Sequence, residues 1–542
     1  MVLAMCLVLR AGAAEPYPLF YDSSSLFLPA IAAAEKNVRP LVQPVSGVTV
    51  PHHLLAVDMI ADTLRLAAGH RYERILLLSP DHFRRGTTLC STTTRPFKTA
   101  LGDVAVDAEA VRTLLGDPAV SESSLFSHEH GVQAILPFLA RWFPGTPVVP
   151  MALDIRSKPE EWPALANRLK PLVTADTLIV QSTDFSHYLS QPEAARRDQE
   201  TLRLLACGDS ARIPALGQPQ NLDSKACQWL HMTLEREVNG IAAPAVVDNR
   251  NAIRYGGRQD EPRTTSYITQ VYSPRFIPAA ALPGEAWFFG GDTQFGRNIA
   301  ALPKEQMDAI TGKILAATGS RPLIVNLEGV VLDPLPPGPQ HPMRIGMAAR
   351  PTLEQLARLH VAAVSVANNH SLDYGPDARE RMKAILTERG IAVLDEGTPK
   401  ESGPFRIAVA TDVINRPSPA NAVLPADAFA AWRQPQANKP LFAFLHAGTE
   451  YRDIPGARER QLADRAEQAG AALVIGCHPH RPSPGWERSE RSLRFYSMGN
   501  LIFDQSEPAN GGGLVEVRFF EQGTWAARWI PLGNLYARPQ NH

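Results

Sequence analysis

Short apolar runs that alternate with helical stretches, each run ending on a polar residue, set the narrowest limit on how this chain folds. In its second half the runs 287–292, 324–328, 364–370, 442–446, 473–480 and 495–500 end, in turn, on Asp292, Glu328, Asn369 with His370, His446, His478 with His480, and Asn500. Apolar runs of this length between helical stretches read as parallel strands of an α/β sheet. Ligands of such sheets gather at the carboxyl ends of the strands. One open sheet would bring Asp292, Glu328, Asn369, His370, His446, His478 and His480 to a common rim. Those donors suffice for two divalent ions.

At 542 residues the chain exceeds one ordinary core, so two or more domains are expected. The formal net charge is −1, and neither a basic block nor aromatic–basic interleaving occurs, which excludes the nucleic-acid-binding classes. No apolar stretch approaches the roughly 18 to 20 residues that span a bilayer, so no transmembrane segment is expected. Cys6, Cys90, Cys207, Cys227 and Cys477 are scattered and do not form a disulfide framework, with a single bridge left open. Residues 1–14 are apolar up to Leu9, interrupted by Arg10, and small from Ala11 to Ala14 ahead of Glu15-Pro16. That order reads as what remains of a secretory signal peptide. A periplasmic or secreted protein is expected, with a cytoplasmic one as the alternative.

Texture divides the chain near residue 280. The stretch 273–284 holds three prolines without periodicity and reads as a linker. Strand-like runs alternate with helical stretches on both sides of it. The expected organisation is therefore two tandem α/β domains, 15–275 and 285–542, joined by a linker at 276–284. In the second domain Gly375-Pro376-Asp377 opens a helix whose Ala378, Met382, Ile385 and Leu386 share a face, and Gly390 closes it. A second helix carries Leu462, Ala466 and Ala469 on one stripe and ends at Gly470.

Two cations about 3.5 to 4 Å apart clamp a phosphoryl group and generate hydroxide at neutral pH, and a histidine outside the cage can protonate the leaving group. The motifs Gly291-Asp292, Asn326-Leu327-Glu328, Ala367-Asn368-Asn369-His370 with Asp373, Leu445-His446 with Glu450-Tyr451, Gly476-Cys477-His478-Pro479-His480 and Tyr496 to Asp504 carry the pattern. In this order they resemble the capsule-synthesis CapA family. That family is associated with poly-γ-glutamate and lies in the calcineurin-like metallophosphoesterase superfamily, a β-sandwich with flanking helices. The resemblance implies that Asp292 and His480 bind one ion and Asn369, His446 and His478 the other, with Glu328 between them. It puts His370 at the general-acid position. Glu450 is the second candidate catalytic residue, and Asp373 and Asn500 face substrate or support the ligands. Gln294 stands where the superfamily commonly has a histidine, and the bridge is a glutamate instead of an aspartate. The donor set suits Mn, Fe or Zn. Cys477 is expected to pack beneath the rim as a small apolar residue.

In the first half Pro51-His52-His53, Ser79-Pro80-Asp81-His82 and Ser182-Thr183-Asp184-Phe185-Ser186-His187 each follow a strand-like run, and His128-Glu129-His130 opens an apolar helical one. These motifs resemble the Memo-like family, which includes AmmeMemoRadiSam system protein B and has the fold of class III extradiol dioxygenases. The family pattern falls on His52, His82, His130, Asp184, His187 and Cys227. It implies a metal pocket of His52, His82 and Cys227 or Asp184, suited to iron or copper. His53-Leu54 and Gln228 depart from that pattern. His53, His70, His128 and His231 read as structural or surface residues.

Three readings of function follow. The first is an exported hydrolase that cuts a phosphoester or an amide-like bond of an envelope polymer. The second is a non-catalytic assembly or polymer-binding factor for capsule or poly-γ-glutamate export. The third adds redox chemistry by Fe or Cu in the first domain. Substrate and oligomeric state are left open.

Overall fold

The computed structural model describes residues 15–256, 258, 261–338, 341, 343–415, 420–421, 424–425, 427–434, 437–505 and 511–536, and everything below concerns these. The signal-peptide reading of residues 1–14 lies outside them. Among the described residues no helix is long and apolar enough to cross a membrane. The chain forms two compact units, one of residues 1–198 with 208–275 and one of residues 199–207 with 276–542.

The first unit is built on a mixed sheet. Along it run β1 (Gly47–Val50), β2 (Arg74–Asp81), β3 (Cys90–Thr92), β4 (Val120–Glu122), β5 (Val148–Asp154), β6 (Thr177–Ser182), β7 (Ala245–Asn251) and β8 (Thr264–Tyr272), in the order β7-β8-β1-β6-β2-β5-β3-β4, and the short strand His187–Leu189 pairs with β8 off this path. The central strands β1, β6, β2 and β5 run parallel. Leu76, Leu78, Val149, Met151 and Ile179 pack beneath helix α1 (Lys225–Val238), which buries Ala226, Leu230 and Leu234 against them. Strands buried on both faces read as continuous apolar runs, which is why 75–78 and 178–180 stand out in the sequence.

The second unit is a sandwich of two sheets. The first contains β9 (Glu285–Thr293), β10 (Leu323–Leu327), β11 (Val361–Ser365) and β12 (Ala392–Leu394), all parallel. The second contains β13 (Phe405–Thr411), β14 (Leu441–His446), β15 (Ala471–Cys477) and β16 (Leu493–Phe495), also parallel. The short strand β17 (Asn500–Ile502) lies beside the end of β9. Antiparallel β18 (Gly512–Phe519) and β19 (Trp525–Gly533) extend the first sheet from β9.

The single open rim expected from the sequence is therefore corrected to two facing rims. With β18 paired to β9, the first sheet has no free edge there, and β13 to β16 form a sheet of their own. Alternation explains the arrangement. Phe289, Ile324, Ala363, Phe405, Ile407, Phe442, Phe444, Leu473 and Ile475 point inward and make the core between the sheets. Phe405 and Phe442 stack at 4.8 Å between ring centroids, and Phe289 lies 5.6 Å from Phe405. The alternate residues Phe288, Leu323, Val325 and Val364 face helices on the outside of the first sheet. Truncating Phe442 to Ala would cost about 3–5 kcal/mol, enough to loosen both rims.

Helix α2 (Pro376–Glu388) buries Ala378, Met382 and Leu386, and Gly390 just beyond it takes φ 74°. Helix α3 (Ala457–Gln468) buries Leu462, Ala463 and Ala466, with Gly470 at φ 105°. The stretch read as a linker packs into the second unit. Ile277, Ala279 and Leu282 are buried, and the guanidinium groups of Arg518 and Arg528 donate to carbonyls of residues 277–283.

Candidate metal centre

The strand ends of both sheets in the second unit converge on Asp292. A bulge between Gly290 and Asp292 turns the end of β9, and Gly291 is required there because a Cβ would lie 1.9 Å from the Gly499 carbonyl oxygen. Asp292 is fully buried. Its Oδ2 is 3.2 Å from His480 Nδ1 and accepts the His478 backbone N–H at 2.9 Å, while its Oδ1 accepts Asn326 Nδ2 at 2.8 Å and lies 3.7 Å from His446 Nδ1. Burial opposes its ionisation, but the hydrogen bond and charge of His480 outweigh that and hold the carboxyl well below its usual range.

Glu328, just past β10, is also buried, and neither carboxylate oxygen has a hydrogen-bond partner among the described residues. Burial, followed by the charge of Asp292, pushes its pKa well above the ordinary carboxyl value. Leaving such a group unpartnered is costly. A bound cation would satisfy both oxygens, and carboxylate oxygens of Asp292 and Glu328 lie within 4.8 Å of one another and of a His480 nitrogen.

His446 ends β14 with its Nε2 2.8 Å from Asn369 Oδ1. Burial and then the neighbouring His478 depress its pKa well below the ordinary imidazole value. His478 Nδ1 has no partner among the described residues, and burial with repulsion from His480 lowers this residue to about 4. Neutral imidazoles of this kind are in the form that binds metal. His478 and His480 both have left-handed backbones, at φ 97° and 59°. Such conformations cost on the order of 1–3 kcal/mol each and concentrate where a side chain must be aimed. His480 Nδ1 also lies 2.8 Å from Asn500 Oδ1. Burial opposes charging His480, yet Asp292 raises its pKa above normal.

His370 Nε2 stands 3.8 Å from Glu328 Oε1, and its Nδ1 bonds Asp373. Glu450 is exposed and brings a carboxylate oxygen within 4.8 Å of His478 and His480 nitrogens. Gln294 is buried. Its Oε1 accepts the Gly296 N–H at 2.6 Å, and its Nε2 has no partner among the described residues. Cys477 lies in the inter-sheet core, with Sγ 3.3 Å from His446 Nδ1. A cavity of about 740 Å³ opens beside His370, His480 and Glu450.

In the first unit three imidazoles point at one oxygen. Asp223 Oδ2 is 3.2 Å from His52 Nε2, 3.6 Å from His82 Nε2 and 3.9 Å from His187 Nε2. Asp184 Oδ2 is 3.6 Å from His52 Nε2, and its Oδ1 accepts the His52 N–H at 3.1 Å. His82 Nδ1 meets Glu129 Oε1 at 2.6 Å, and the His130 ring lies 4.2 Å from that of His82. Burial pulls the His82 pKa down, but the carboxylates of Asp223 and Glu129 overcome it and bring the value to about 10. For His130, burial and the repulsion of His52 and His82 prevail, and it falls to about 4.

Cys227 packs in the apolar core with Leu76 and Leu78, and burial, with the charge of Asp223 adding to it, raises its thiol pKa well above normal. The carboxylate that faces three of the imidazoles at once is Asp223, two residues before α1. Sequence reasoning passed over Asp223, and over Glu129. Glu129 stood inside the quoted His128-Glu129-His130 motif, whereas Asp223 belongs to no ligand spacing. Of the four histidines read as structural, His53 bonds the Tyr267 hydroxyl at 2.8 Å, His70 bonds the carbonyls of Leu41 and Gln43, and His231 is buried; none of the three reaches the cluster.

Residues 32–239 match the family model described as Memo-like protein, and residues 286–409 with 426–505 match that of bacterial capsule synthesis protein PGA_cap. A MEMO1 family protein of Methanopyrus kandleri is 28% identical over 197 residues, covering 35% of this chain and 69% of that protein. A MEMO1 family protein of Thermotoga neapolitana is 30% identical over 183 residues, covering 32% of this chain and 64% of its own. The PGA biosynthesis protein CapA of Bacillus subtilis is 23% identical over 330 residues, covering 55% of this chain and 81% of that protein. The fold expected from both resemblances, an extradiol-dioxygenase-like domain and a calcineurin-like sandwich, is the fold the chain has.

Proposed function

From a chain that joins a Memo-like domain to a CapA-like capsule synthesis domain, we propose a metal-dependent hydrolase of an envelope polymer, cutting a phosphoester or a γ-glutamyl bond. The observation that carries this reading is Glu328, a buried carboxylate with two unpartnered oxygens between Asp292, His480 and His370. Asp292 and His480 would hold one divalent ion and Asn369, His446 and His478 the other, with Glu328 shared. Bound there, two ions of Mn, Fe or Zn would supply Lewis-acid activation of water and neutralise charge on the scissile group. The chain's own residues do the rest. His370 carries a proton at Nε2 to the leaving group, Asp373 fixes the ring, and Glu450 borders the cavity from which substrate enters. The functional units in this reading are 15–275 and 285–542.

Periplasmic or secreted placement belongs to the same proposal and is supported by the apolar start of the sequence and by the capsule-related name of the Bacillus subtilis relative. The test is turnover of a phosphoester and γ-glutamyl panel by the metal-loaded full chain and by His446→Ala. Loss of both turnover and metal in the variant supports the reading, and full activity in the variant ends it.

Gln294 favours a second reading, a polymer-binding factor without turnover. An amide stands where a further imidazole would complete the first ion's shell, and its Nε2 is buried without a partner among the described residues. Retention of poly-γ-glutamate by a protein inert across the panel would select it. In the first domain the convergence of His52, His82 and His187 on Asp223 supports an Fe or Cu site, read out by oxygen uptake with catechols.

A further inference from the structure

Arg297 lies in the wall of the cavity that opens onto His370 and His480. It begins the short helix Arg297–Ala300 with φ 44°, a conformation that a non-glycine residue adopts only when the surroundings hold it there. Its Nη2 forms an ion pair with Asp504 Oδ1, whose other oxygen accepts Asn298 Nδ2 at 3.1 Å. The guanidinium carbon sits 5.2 Å from the centroid of the Phe503 ring. Asp504 and Phe503 thus fix the plane of the guanidinium, and its buried Nε has no hydrogen-bond partner among the described residues. The side chain keeps 22% of its surface exposed. Its positive charge also reaches the metal cage and offsets part of the burial that raises the Glu328 carboxyl.

A guanidinium is a planar fork that matches carboxylate and phosphoryl oxygens two at a time, and its value rises when the plane is fixed beforehand. A purely structural ion pair needs neither the strained backbone nor a position on the wall of the cavity that His370 also lines. We propose that Arg297 is a specificity-determining residue that binds an oxyanion of the substrate, a carboxylate or a phosphoryl group, one step along the cavity from the bond that is cut. This deepens the hydrolase reading above and rests on it for the identity of the neighbouring ions.

The test uses the Mn-loaded full chain with Arg297→Gln and Arg297→Lys, and two probes, inorganic phosphate and a γ-linked glutamate tripeptide, each titrated calorimetrically with metal content measured in parallel. Arg297→Gln should weaken binding of at least one probe by about 10- to 100-fold, the range of a charge-assisted hydrogen bond, with metal content unchanged. Arg297→Lys keeps the charge and the partner Asp504 but loses the fork, so it should fall between wild type and Arg297→Gln. Loss for phosphate alone assigns a phosphoryl subsite, loss for the peptide alone a carboxylate subsite, and equal loss a general oxyanion site. Wild-type affinity of Arg297→Gln for both probes overturns the proposal, as does a wild type that binds neither. A fall in its metal content also overturns it, since Arg297 would then act through the cage. Failure of the hydrolase reading shows separately, as Arg297-dependent binding in a protein that holds no metal.

Discussion

Asp373 Oδ2 lies 2.8 Å from His370 Nδ1 and also accepts the backbone N–H of Ile345 at 2.8 Å. The carboxylate is therefore anchored to the backbone before it anchors the ring, and the ring presents Nε2 to Glu328. His370→Ala should lower turnover by about 10²- to 10⁴-fold, the usual worth of a positioned general acid, while both ions are retained. Asp373→Asn should lower it by about 10- to 100-fold through loss of ring orientation. Parallel assays of rate and metal content check both, and unchanged rates would remove His370 from the mechanism.

Glu328→Gln should cut the metal content of the loaded protein from about two ions to one or none, because the shared carboxylate is lost. His480→Ala and His478→Ala should each cost about one ion, from opposite sides of Glu328. In metal-stripped protein the effect of Glu328→Gln reverses. Removing a buried carboxyl that must take up a proton on folding at neutral pH should stabilise the fold by about 1–3 kcal/mol, measured by urea unfolding.

The first domain offers a choice between two ligands. Asp223→Asn should abolish iron or copper binding by the full chain, since three imidazole nitrogens meet at that carboxylate. Cys227→Ala should leave metal content unchanged and cost about 1 kcal/mol for the small cavity it opens in the core. Metal lost from the cysteine variant and kept by the aspartate variant would reverse the assignment.

Asp62, on the helix Val57–Ala67, provides a pH-dependent test away from either metal site. Burial, and then the charges of Asp58 and Asp248, raise its pKa to about 6 against a partial offset from Arg250. Arg250 is already paired with Asp58 and Asp248. The folded state thus binds a proton more tightly than the unfolded state. Stability falls as pH rises from about 4 through about 6, and the penalty is complete above that. Asp62→Asn should stabilise the protein by about 1 kcal/mol at pH 7.5, after allowance for solvent screening, and by almost nothing at pH 4. Melting temperatures at the two pH values check it, and an equal gain at both would contradict it.

Much of the second site was legible because parallel strands buried on both faces leave an unmistakable apolar run and stop abruptly. His446 is the last residue of β14, and Glu328 lies one past β10. Which sheet each strand joins was not legible, since Phe288 and Phe289 are equally apolar and only the packing shows that one faces helices and the other the second sheet. Asp223 was invisible for a different reason. It sits on a loop where no periodicity operates, and its partners come from residues 52, 82 and 187. Arg297 drew no notice, for its significance depends on Asp504, more than two hundred residues away.

The central claim is a cage of two cations around Glu328. Anomalous diffraction at the manganese edge from Mn-loaded crystals of the full chain tests it most directly. The account predicts two peaks about 3.5–4 Å apart on either side of the Glu328 carboxylate, one touching Asp292 and His480 and the other Asn369, His446 and His478. A lone peak away from Glu328, or none in a protein that binds manganese elsewhere, would contradict it.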